Sequence, residues 1–117
     1  MRYLDFRDVT ATNGIYEMIY DGMHGAGGYS GPAEIRLLDR LLNKLETVGE
    51  PSREIAPTYR GYSLKTGGGI VALEDTEYNL MKNKIDTVQW VALNRARVVK
   101  MYDFIEGAPT TPILEVG

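Results

Sequence analysis

Few residues in this chain have types and spacing suited to chemistry. Ser30, His24 and either Asp21 or Glu34 form a nominal set of nucleophile, base and acid. They crowd into one glycine-rich stretch, however, and a triad works through placement in space that such spacing does not impose. Glu74 and Glu77 are carboxylates that one helix face would bring together, as acid–base work requires, but acids at a helix start are already explained by its positive pole. Cysteine is absent and His24 is the only histidine, which removes thiolate ligands and limits metal chemistry generally. Residues 24–31 hold four glycines in eight positions, and backbone amides there could cradle a phosphate. That motif needs a preceding parallel strand and a closing Gly-Lys-Ser/Thr, and neither is present, so the stretch reads as a connector between helices with Tyr29 as its cover. No catalytic, cofactor-binding or metal-ligating residue is assigned, and no enzyme activity is expected.

Two features suit a partner better than a reaction. Lys82, Lys84, Arg95, Arg97 and Lys100, set against the single acid Asp86, make 82–100 locally basic. Such a run is either a solvated helix face or a surface for an anionic partner, acidic protein or nucleic acid. The last ten residues carry two prolines and the apolar Ile113, Leu114 and Val116. They read as a frayed tail or as an extended arm that adds a strand to a neighbour.

The elements that must position these residues follow from apolar spacing. Residues 3–6 form a short strand or a packed arm. Ile15, Met18, Ile19 and Met23 fall at helical spacing and predict a first helix over 14–22, capped by Asn13 or Thr12. Pro32, Glu34 and Gly49 bound a second helix over 32–48, with Ile35, Leu37, Leu38, Leu41, Leu42, Leu45 and Val48 as its core stripe. Two prolines make 49–57 a loop. Residues 58–65, rich in β-formers, and 70–73 are expected to pair as a hairpin across Thr66-Gly67-Gly68-Gly69. Asp75 or Thr76 caps the next helix, over 76–85. The β-branched residues and polar caps of 86–90 predict a break before a last helix over 88–106, one continuous helix being the alternative. That last helix has its own stripe in Val91, Ala92, Val98, Val99, Met101, Tyr102 and Ile105. Trp90, at the junction, is expected to anchor the core.

The prediction is an α+β fold of about four helices and one β-hairpin in the order α-α-β-β-α-α, with a further strand available from either terminal arm. One globular domain spans 1–108 and an extended arm 109–117, a size that suits a single hydrophobic core. The net charge of −3 offers no general attraction for nucleic acid. No apolar run approaches the ~18 residues of a membrane span, and the first residues lack the apolar core of a signal peptide, so a cytoplasmic protein without membrane contact is expected.

A leucine-rich helix (37–48) and a glycine turn lead to Ala72-Leu73-Glu74-Asp75-Thr76-Glu77, then to Trp90, Val98-Val99 and Ile105-Glu106-Gly107-Ala108. Over about 32–108 this order resembles small proteins encoded by tailed bacteriophages. The resemblance implies a phage accessory or assembly protein that acts through protein contacts, in the host cytoplasm or within a virion. The expected function is therefore a non-enzymatic protein–protein interaction, with a protein partner or with itself as a homo-oligomer. The alternatives are a regulatory protein that binds nucleic acid as a winged helix and an inhibitor of a host enzyme.

Overall fold

A computed structural model describes residues 1–26, 28–56 and 59–113. Its elements are β1 (Arg2–Asp5), α1 (Val9–Gly25), α2 (Gly31–Glu46), β2 (Gly49–Ala56), β3 (Tyr59–Leu64), β4 (Ile70–Leu73), α3 (Asp75–Asp86), a 3-10 turn (Ala92–Asn94) and α4 (Arg95–Glu106). Among the described residues, four helices and two antiparallel two-stranded sheets make the α+β class. The strand pairing differs from the expected hairpin. β3 pairs backward with β2, and β4 pairs with the N-terminal β1.

Both pairings have physical reasons. The residues expected to form a loop at 49–57 instead supply β2, and Pro51 is tolerated because a two-stranded ribbon leaves each strand one edge without a ladder. The register slips between Pro51 and Arg53 and again between Glu54 and Ala56, which relieves the ladder next to the proline. Residues 65–69 then carry the chain across to the other sheet, held by the Lys65 amide donating to the Val48 carbonyl at 3.1 Å. In β1–β4, Leu4 faces Val71, and Leu73 completes the buried side. Beyond the strand, the Phe6 amide donates to the Gly69 carbonyl at 2.8 Å and the Tyr3 amide to Pro109 at 3.0 Å. The N-terminal arm is thus zipped between β4 and the segment that follows α4.

The helices match expectation at their centres and depart at their ends. α1 begins five residues early because Asp8 caps it, accepting from the Ala11 amide at 3.2 Å. Thr12 instead donates its hydroxyl to the Asp8 carbonyl at 2.7 Å. Asn13 is spent on a tertiary bond, accepting from the Leu64 amide at 2.8 Å. α3 is capped by Glu74, whose amide donates to Glu77 at 2.7 Å in a capping box. Glu77 is buried and also accepts from Lys44 of α2, so both proposed acid–base carboxylates serve the helix start.

One apolar core joins the layers. Phe6 packs edge-on to Tyr16 and tilted to Phe104, with Met23, Leu41, Leu45, Met81, Ile85, Met101 and Ile105 fully enclosed around them. The buried hydroxyls of Tyr16 and Tyr78 donate to the carbonyls of Leu45 at 2.7 Å and Ile105 at 2.9 Å, which removes the penalty of burying them unpaired. The α2 stripe is narrower than expected. Leu41 and Leu45 are fully buried, Leu37, Leu38 and Leu42 are half-buried, and Ile35 is 48% exposed.

Candidate interaction surface

The break between α3 and α4 is wider than the sequence suggested, and it shapes the surface. α3 stops at Asp86, and the last helix begins at Arg95, seven residues later than expected. Between them Trp90 lays its ring on α1 at Gly22, where an added Cβ would stand 3.3 Å from the ring edge. With 88–91 outside any helix, Val91 and Ala92 leave the register of Val98, Met101 and Ile105, which are buried. The expected stripe therefore divides. Val91 is 64% exposed, Val99 56%, and Leu93 at the 3-10 turn 89%.

The basic run divides as well. Lys84 is absorbed by structure: it pairs with Glu34 of α2 at 2.7 Å, lies over the Tyr29 ring at 4.7 Å and donates to the Gly28 carbonyl at 3.2 Å. Its hydrogen bond and charge hold the Glu34 carboxyl below its ordinary pKa. Tyr29 donates to the Met23 carbonyl, and burial pushes its own pKa up to about 12. Gly28 and Tyr29 are thereby held against α1 and α3. Lys82 is half-buried on α3, and Arg95 is exposed at the first turn of α4. Only Arg97 and Lys100 converge, one turn apart on the side of α4 that packs on α1.

Together with α1 they line a groove of about 200 Å³ whose other wall is Thr10, Ala11, Gly14, Ile15 and Met18. Met18 and Arg97 also border a second depression of about 310 Å³, lined by Glu17, Asp21, Trp90 and Asn94. The two run on along α1 from Thr10 to Asp21, about 16 Å at the helical rise. Among the described residues no ion pair or hydrogen bond engages Arg97 or Lys100, whereas Glu17 accepts from Asn13 and Ser63. The sequence marked Arg97 and Lys100 but gave no sign of the α1 wall, because Thr10 to Met18 reach α4 only through the tertiary fold. Of the C-terminal residues, Ile113 is half-buried, and Leu114 and Val116 lie outside the described residues.

Of the residues with nominal catalytic chemistry, His24 and Glu34 are engaged in structural contacts. His24 donates from Nδ1 to the Tyr20 carbonyl at 2.9 Å, Glu34 holds Lys84, and Ser30 precedes α2 as its N-cap. Among the described residues no three acids or histidines gather as a metal site, and no helix is long and apolar enough to cross a membrane. Compared with known proteins, the chain matches no family model, no curated sequence and no solved structure.

Proposed function

We propose that this is a non-enzymatic interaction protein that docks on a protein partner through the face made by α1, the crossing at 87–94 and the start of α4. The observation that carries this reading is Leu93, 89% exposed beside Val91 at 64%, on a turn next to a groove. Covering one leucine removes enough apolar area from water to contribute about 2 kcal/mol. Apolar side chains at the centre of an interface, ringed by polar ones, are where binding energy concentrates. Within this class, a structural or assembly component of a phage is the setting suggested by the resemblance over 32–108, with the host cytoplasm or the virion as its location.

Site-directed crosslinking in the cells that make the protein tests the docking face. A photo-reactive amino acid in place of Leu93 is expected to give a discrete protein adduct that is lost on Val91→Asp, while the same group in place of the exposed Asp39 gives none. The mass of the adduct shows whether the partner is another copy or a different chain. Equal yields from positions 93 and 39 would overturn the reading.

A further inference from the structure

We infer that the segment seated in the α1–α4 groove is acidic and carries an apolar anchor, with its acidic end over Arg97 and Lys100. This deepens the docking reading above and rests on it. The groove has an apolar floor in Ile15 and Met18 and the aliphatic edge of Ala11. Its α4 wall presents two cations one turn apart, with no carboxylate in the lining of the groove, in a chain whose net charge is −3. Two cations beside apolar surface favour an anionic group that brings its own apolar side chain, because a floor covered by that side chain strengthens the charge contact at its rim. Asp8 lies at the nearby start of α1, but its side chain is used as the helix cap.

The second depression sets the direction. Glu17 and Asp21 line it together with Met18, Trp90, Asn94 and Arg97, two acids to one cation, whereas the first groove holds both cations and no acid. An acidic segment therefore runs with its carboxylates toward Thr10 and Lys100 and its neutral or apolar end toward Trp90 and Leu93. The length of about 16 Å accommodates roughly three helical turns or five extended residues of a partner. An interhelical groove of this kind suits an amphipathic segment that presents anchors from one face.

Selection from a library of random dodecapeptides, using the full chain as bait, tests the inference. Peptides recovered on the wild-type protein are expected to combine Asp or Glu with Leu, Ile, Met or Phe. The best of them should lose about tenfold in affinity on the double substitution Arg97→Glu, Lys100→Glu. Selection on that double variant should shift toward Lys and Arg. Both positions are exposed, so unchanged urea midpoints would show that the variants fold. Recovered peptides without an acidic bias, or an affinity indifferent to the charge reversal, would overturn the inference. In that outcome a specific crosslink from position 93 would leave the docking face standing with a partner of other chemistry, whereas loss of the crosslink would remove both readings.

Discussion

Gly68 occupies a position that other residues fill only at a cost, for two separable reasons. Its φ of +55° lies in the left-handed region, and a Cβ added there would overlap the Phe6 carbonyl, where the chain just past β1 crosses the turn. The neighbouring Gly67 has φ +84° but open space around it. The pair therefore separates conformational strain from backbone contact. Gly67→Ala is expected to cost only the left-handed strain, about 1 kcal/mol. Gly68→Ala carries the same strain and must also displace Phe6, which bonds the neighbouring Gly69, for a total of about 3 kcal/mol or more. Urea midpoints measure both, and equal costs would show that the Phe6 backbone is not seated over this turn. Glu77 is likewise held by its surroundings: it accepts from the Glu74 amide at the helix start and pairs with Lys44 of α2.

At the scale of elements, the crossing between α3 and α4 does most to define the surface. Thr87 closes α3 by donating its hydroxyl to the Lys84 carbonyl at 2.6 Å, and the chain restarts through a 3-10 turn fixed by the Asn94 amide donating to Val91 at 2.9 Å. What keeps this crossing on the body is Trp90 against the bare backbone of Gly22. Its removal therefore acts locally. Trp90→Ala is expected to cost about 2 kcal/mol, less than the full cost of a deeply buried tryptophan, because the ring is only half-buried. Hydrogen exchange should quicken across 87–97 while α2 and α3 keep their protection. Uniform loss of protection across all four helices would show instead that Trp90 is a global core residue. Docking at the face next to this crossing would draw on an element of low local stability, as binding segments commonly do.

The whole molecule responds to pH through groups on different elements. Burial first, and then the charges of Tyr20, Glu46 and Tyr62, push the Tyr16 hydroxyl well above its ordinary pKa. Burial first, then Glu46, Tyr62 and Asp21, raise that of Tyr20. A raised folded-state pKa means stability that is complete below the unfolded value near 10 and is lost as pH rises from there through the folded value. Alkaline unfolding should therefore begin above about pH 10, with the tyrosinate absorbance of Tyr16 and Tyr20 appearing together with loss of helix. Tyr16→Phe is expected to cost about 1 kcal/mol at neutral pH through the orphaned Leu45 carbonyl, yet to move the alkaline transition upward. A tyrosinate signal from all eight tyrosines well before any loss of helical circular dichroism would refute this coupling. On the acid side, hydrogen bonds from Arg7, from the N-terminal ammonium and from Lys84 lower Asp5, Asp75 and Glu34 respectively. Their contribution is present above the ordinary carboxylate range and lost as pH falls through the depressed values. Glu46, raised by burial, works in the opposite sense.

The elements legible in the amino-acid order are those whose signals are local. The start of α2 could be read from Pro32 and Glu34, its body from leucines at helical spacing, the acidic start of α3 from Glu74 to Glu77, and the stop before Trp90 from the β-branched and capping residues around Asp86. Each of these signals acts within a turn or two of backbone, where propensity and capping decide the outcome. Strand pairing is different. The glycines at 67–69 looked like a hairpin turn, yet β4 gains more by joining β1, a partner some seventy residues away that brings Leu4 and Phe6 into the core. The candidate surface is non-local for the same reason. Arg97 and Lys100 were visible as charges, but the α1 wall that makes them a groove, and the exposure of Val91 and Leu93, exist only once Trp90 has taken its place on Gly22. Pairing and burial are settled by contacts between residues distant in the chain, which periodicity along the chain does not encode.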